Sequence, residues 1–210
     1  MRGFFKLDGP FFKYGTVLAD LIILTVLWAV CSVPLFTIGV STAALFYVTT
    51  KQVSDKEGYV TANFFRSFRA NFFQGIIVAV ILGAAAFVVY ASIRYSIVLT
   101  EGREIILTLD YIAAFEVIIV SIYIFPLMAR FDMRIPELFK TAFSLANRHM
   151  FTTLTCFVLF IAIALMCLFI NPVFILASIG AYAYISSFML MRIFRRYCPD
   201  IDVDESNVSK

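Results

Sequence analysis

Residues Leu21–Thr50 read LIILTVLWAVCSVPLFTIGVSTAALFYVTT, thirty positions without a charged side chain and with a proline at position 34. A bilayer core about 30 Å thick takes roughly 20 helical residues to cross, so the run is long for one span and short for two. Pro34 lacks the N–H that would continue a helix, which makes it the natural place to turn. Whether the chain turns there sets the sidedness of every later segment.

Counting Lys and Arg decides the question. A single crossing gives five spans and puts the basic segments 51–69 and 130–148 opposite the basic N-terminus, against the tendency of these residues to remain cytoplasmic. A turn near Pro34 gives six: one crossing over about 14–33, a short returning one over about 35–50, and four more. The N-terminal Arg2, Lys6 and Lys13 then share a side with all the basic residues of 51–69, 130–148 and the stretch from Arg192 onward. That is 15 of the 17, leaving Arg94 and Arg103 outside. The expectation is a multi-pass protein of the bacterial plasma membrane with both termini cytoplasmic.

The rest of the chain fits such a bundle. It is 62% hydrophobic and 15% charged over 210 residues, with mean hydropathy +0.93, more apolar than a soluble domain of this size could bury. Long apolar stretches follow at Asn71–Ile93, Ile105–Met128, Met150–Asn171 and Pro172–Met191, with Asn171-Pro172 as a tight outer turn. They are continuous rather than alternating, which excludes a membrane barrel. The basic N-terminus ahead of the first run resembles a signal peptide, but the run is too long and lacks a cleavage site, so it reads as an uncleaved span. The fold class is therefore an all-α transmembrane helical bundle, one domain over 1–197. A short acidic tail, 198–210, follows with Asp200, Asp202, Asp204 and Glu205. The net charge of +3 sits near helix ends and points to anionic membrane lipid rather than nucleic acid.

Two connections read as amphipathic helices lying at the headgroups. Phe64, Phe65, Phe68 and Phe72 repeat at helical spacing while Arg66 and Arg69 take other positions. In Pro136–Arg148 the stripe is Leu138, Phe139, Ala142, Phe143 and Ala146, with Pro136 in the first turn. Phe65-Arg66-Ser67-Phe68 weakly echoes Phe139-Lys140-Thr141-Ala142-Phe143, and Phe4, Phe5, Phe11 and Phe12 precede the first hairpin. This suggests three units, each an interfacial segment followed by a helical hairpin. Gly75, Ala79 and Gly83, like Ala177 and Ala181, recur every four residues and give two helices small faces for close packing.

Glu116 lies near the middle of its apolar run, where an ionised carboxylate costs about 2.5 kcal/mol or more to insert. It reads either as a proton or cation site or as a hydrogen-bonded packing residue, with Ala113, Val120 and Tyr123 on its face. Asp20, two turns into the first crossing, reads as a structural bond to neighbouring helices, and Asp110 as a structural residue still able to reach outer water. His149 is the single histidine, read as a solvated interfacial side chain. Cys31, Cys156, Cys167 and Cys198 form no CxxC and read as packing residues. The sequence has no HExxH, GxxxxGK[ST], GxSxG or acidic metal cluster. The chain is read as non-enzymatic and without a cofactor, and it has no nucleotide site with which to power transport itself.

Asp20-Leu21, Leu27-Trp28, Pro34-Leu35-Phe36-Thr37-Ile38-Gly39 and Ala43-Ala44-Leu45, with the later Arg69-Ala70-Asn71-Phe72, give the chain its one family likeness. This arrangement resembles the YesL family of bacterial membrane proteins, whose defining domain has no assigned molecular function. Pro34, Thr37 and Gly39 form the core of the motif. The chain departs from the family at Thr25, where asparagine is frequent, and at Val40, where proline is common. The resemblance implies an accessory subunit of a carbohydrate ABC importer, with permease subunits as partners. Arg66, Arg69, Phe68, Lys140 and Phe143 would offer their cytoplasmic surface. The alternative is an independent small secondary transporter in which Glu116, with Asp20, handles a coupling ion or proton.

Overall fold

The computed structural model describes residues 10–54, 59–97, 102–169 and 175–197. Every element among them is helical: α1 (Pro10–Cys31), a 3-10 turn (Leu35–Thr37), α2 (Ile38–Val53), α3 (Val60–Ala70), α4 (Phe72–Ser96), α5 (Arg103–Arg130), α6 (Ile135–Arg148), α7 (Met150–Phe169) and α8 (Ile175–Tyr197). The first aromatic residues Phe4 and Phe5, the Asn171-Pro172 turn and the acidic tail lie outside the described residues. Two helices, α4 and α5, are long and apolar enough to cross a membrane. α6 and α7, bent by 94° about His149, make a third candidate.

The chain does turn at Pro34. Helix α1 ends at Cys31, Pro34 is extended (φ −73°, ψ 112°), and one 3-10 turn leads into α2. The last carbonyls of a helix have no partner within it, and Thr37 supplies one. Its hydroxyl lies 2.6 Å from the carbonyls of both Cys31 and Pro34, and its N–H donates to Pro34 at 2.8 Å. Proline three residues ahead of threonine thus makes a self-capped reversal in which Thr37 is buried and the apolar Val33 and Leu35 stay exposed.

Helix α2 has 16 residues and is about 24 Å long at 1.5 Å per residue. It packs on α1, α3, α4, α5 and α8, so its hydroxyls and small residues meet protein rather than lipid. Such a helix need not be strongly apolar, because neighbouring helices take over its polar groups. Gly39 and Gly75 set how close α2 and α4 come. A Cβ on Gly39 would sit 2.6 Å from the Gly75 carbonyl, and one on Gly75 would sit 2.9 Å from the Val40 Cα. The contact is backbone on backbone. Gly180 of α8 meets α1 in the same way, its missing Cβ leaving room for the Leu21 carbonyl at 2.5 Å.

The small face predicted on α4 divides in two. Gly75 and Ala79 face α2, whereas Gly83 meets nothing within 4 Å.

The echo between the two amphipathic segments extends into backbone geometry. Residues Asn71 and His149 each separate a short amphipathic helix from a long apolar one. Asn71 donates its N–H to Ser67 (3.0 Å) and accepts from Gly75 N–H (2.8 Å); His149 donates to Leu145 (3.0 Å) and accepts from Thr153 N–H (3.0 Å). Each is a one-residue hinge that closes one helix and opens the next. Units α3–α4–α5 and α6–α7–α8 therefore share a plan. Phe72 belongs to α4 rather than to the amphipathic helix, because the hinge intervenes at Asn71.

Substituting alanine at Gly39 or Gly75 should lower detergent-solubilised stability by about 1–3 kcal/mol through overpacking. Gly83→Ala should stay within about 0.5 kcal/mol of the parent. Thermal midpoints of the three purified variants check this; equal effects at positions 39 and 83 would contradict it.

Candidate functional site

The acidic residues predicted from the sequence occupy three separate places, each with a different neutral partner. Asp20 on α1 accepts from Gln52 Nε2 of α2 at 3.0 Å, the bond between neighbouring helices that its position implied. Asp110 on α5 does not reach outer water. It is buried, and the hydroxyls of Ser92 and Ser96 on α4 donate to its two oxygens at 2.6 and 2.9 Å. Two serines one turn apart on α4 thereby clasp a carboxylate on α5 and lock the α4–α5 hairpin.

Glu116 finds its partner on α6. Asn147 Nδ2 donates to Glu116 Oε1 at 3.0 Å and to the Phe143 carbonyl at 3.2 Å, while Glu116 Oε2 is buried without a hydrogen bond. Asn147 is near the far end of α6, and Glu116 is midway along α5. Helix α6 therefore packs back along α5. Its buried face is Leu138, Ala142, Leu145 and Ala146. Tyr123, on the Glu116 face, joins this junction. Its hydroxyl is 3.0 Å from Thr153 Oγ1, which in turn donates to the Ala146 carbonyl at 2.9 Å. His149 is partly exposed, with Nε2 at 3.0 Å from the Tyr197 hydroxyl. Asp20, Asp110 and Glu116 thus share no common site.

Around α2 a second set of polar contacts joins the first helix to the last. Thr25 Oγ1 donates to the Leu21 carbonyl (2.8 Å) and accepts from the Gly180 N–H (3.0 Å). Thr25 is thus a polar link between α1 and α8. Thr49 and Ser187 bond at 2.8 Å between α2 and α8, and Trp28 Nε1 donates to Thr42 Oγ1 at 3.1 Å between α1 and α2. Beside these contacts a cleft of about 350 Å³ is lined by Trp28, Phe46, Phe160 and Tyr182. A second of about 180 Å³, against Ser121 and Phe125 of α5, shares Thr42, Phe46, Phe160 and Tyr182 with it. The lining is aromatic and aliphatic with a few hydroxyls and no charge, chemistry suited to an apolar chain rather than an ion. Cys156 is buried, as a packing residue would be.

The five residues expected on a partner surface separate. Arg66, Arg69, Lys140 and Phe143 are exposed, but Phe68 turns onto the core, its ring stacked on Phe64 at 6.2 Å. Among the described residues no group of three or more His, Cys, Asp or Glu is placed to hold a metal. Sequence reasoning missed Ser92, Ser96, Gln52 and Asn147. The only signal for them was a small polar residue inside or beside an apolar run.

Residues 21–93 match the family described as "Protein of unknown function, DUF624". The matched segment runs from the Leu21 carbonyl in the α1–α8 contact, through the Pro34 turn and α2, to Ser92's neighbour Ile93 near the end of α4. It contains both glycines of the α2–α4 crossing. No curated protein and no solved structure matches the chain.

Removing the Thr37 hydroxyl leaves the buried turn without its side-chain cap. Thr37→Val should destabilise by about 1 kcal/mol while Thr37→Ser stays near the parent. Chemical denaturation of the purified variants in mild detergent checks this, and a Ser variant as weak as the Val variant would exclude the hydroxyl as the cause.

Proposed function

We propose that the protein is a non-enzymatic accessory subunit of a carbohydrate ABC importer. It is a bundle of six crossings, α1, α2, α4, α5, α7 and α8, in a bacterial plasma membrane with both termini cytoplasmic. The observation that carries the subunit reading is the open flank of α4. Only 6% of its most apolar window is buried, against 44% for α5, and Gly83, Ala84 and Ala86 lie exposed at its middle. Small residues on a membrane helix let a partner helix approach closely, and here they are not consumed by the chain's own packing. The six-crossing topology is supported by the basic residues and by α2, whose hydroxyls are enclosed by five other helices. The carbohydrate cargo rests on the resemblance of Pro34–Gly39 and its neighbours to the YesL family. Those residues fall inside the segment that matches a domain of unknown function.

A photo-crosslinking side chain placed at Gly83 in native membranes should capture importer permease subunits, whereas the same probe at the exposed Val158 of α7 should label lipid. Absence of a permease adduct at Gly83, with the importer intact and active, would sink the subunit reading.

A second reading, a small secondary transporter, is favoured by the buried, unbonded Glu116 Oε2, an oxygen open to a coupling ion. Under it, Glu116→Gln abolishes uptake in reconstituted vesicles without loss of folded protein. Undiminished uptake removes Glu116 from any transport mechanism.

A further inference from the structure

Helices α3 and α6 carry a shared surface chemistry that the fold itself does not use. Arg66, Ser67 and Ala70 of α3 and the hinge residue Asn71 line one cleft of about 290 Å³; Lys140, Thr141, Ser144 and Leu145 of α6 line another of about 350 Å³. The spacing is the same in both, a cation followed by a hydroxyl residue and then two positions one turn on. The residues just before each cation also correspond, Phe64-Phe65 with Leu138-Phe139, and both Phe64 and Leu138 are fully buried. The two helices therefore present the same face, and the two clefts flank one side chain, Phe131, which lines both.

The clefts differ in charge. In the α3 cleft, Arg66 and Arg130 are accompanied by the Asp132 carboxylate. In the α6 cleft, Lys140 and Arg148 are accompanied by no carboxylate among the described residues. Lys140, Ser144 and Arg148 recur every four residues on α6, forming one stripe of donors. Arg148 is held in place over the Tyr197 ring, 5.4 Å from its centroid. The opposite wall is apolar, made by Leu127 and Phe131 at the end of α5 and Phe194 of α8.

We propose that the α6 cleft is a binding site for the phosphate of an anionic phospholipid, and that the α3 cleft is its weaker, repeat-related counterpart. Lys140 and Arg148 meet the phosphate charge, Thr141 and Ser144 donate to its oxygens, and the glycerol and first acyl carbons lie on the apolar wall. A basic pocket between membrane helices favours an anionic lipid headgroup, and guanidinium with hydroxyl donors suits a phosphate. A free phosphate ion offers the same oxygens but nothing for the Leu127, Phe131 and Phe194 wall, which is why the cleft is assigned to a lipid. The site is independent of the importer role.

The test uses the full chain, delipidated in neutral detergent and loaded with phosphatidylglycerol, with phosphatidylcholine, or with inorganic phosphate alone. Bound species are counted by native mass spectrometry and stability is followed by thermal midpoint. Phosphatidylglycerol should be retained at least about fivefold over phosphatidylcholine, and the Lys140→Gln/Arg148→Gln variant should lose that preference. Arg94→Gln, at the other end of α4, should keep it. Inorganic phosphate should leave the midpoint unmoved. Equal retention of the two lipids by the parent protein overturns the proposal without recourse to any variant. So does undiminished preference in the double variant, and a midpoint shift by phosphate alone that the double variant abolishes reassigns the cleft to a free anion.

Discussion

The bundle depends on bringing one weakly apolar helix, α2, into contact with protein on most sides. Its length, its glycine and its hydroxyl residues would make it a poor companion for lipid, and neighbouring helices meet several of them. Gly39 admits the α4 backbone, Thr42 receives the Trp28 indole, Thr49 meets Ser187, and Gln52 reaches Asp20. Small residues bring backbones close, and closeness lets short hydroxyl side chains reach across. Individual bonds of this kind contribute only about 0.6 kcal/mol on average in membrane proteins, so the geometry they enforce matters more than their sum. The Thr37-capped turn holds α2 at the register these contacts need.

Around that centre the chain repeats a plan. A short amphipathic helix turns back on its predecessor, a single hinge residue ends it, and an apolar hairpin follows. Asn71 and His149 differ chemically, yet each hands its N–H to the residue four before it and takes the N–H of the residue four after. This shared backbone pattern, across unlike side chains, accompanies an amphipathic helix packed on its predecessor in both units.

Much of this was legible in the sequence because it depends on composition and sidedness. The turn at Pro34 followed from where Lys and Arg fall, and the amphipathic helices followed from aromatic spacing. The partners of the acidic residues were not legible. Asp110 bonds Ser92 and Ser96, and Glu116 bonds Asn147, neutral residues 14 to 31 positions away whose approach depends on helix register. The cover of α6 was not legible for a related reason: an amphipathic pattern states that one face is buried, not which neighbour covers it. Gly83 illustrates the converse. Its spacing from Gly75 and Ala79 predicts a packing face, but only the docking of α2 reveals that the face ends one turn short.

The contacts between α8 and the first hairpin also order the life of the chain in time. Thr25 and Thr49 are made early, while their partners Gly180 and Ser187 leave the ribosome well over a hundred residues later. Until then the hydroxyl face of α2 lacks part of its cover, and the first hairpin must wait in the membrane or its insertion machinery with an open side. Helix α8 is thus a closing clasp: a chain interrupted before its last helix leaves the centre of the bundle exposed to lipid, the kind of surface by which membrane quality control distinguishes an unfinished protein from a finished one.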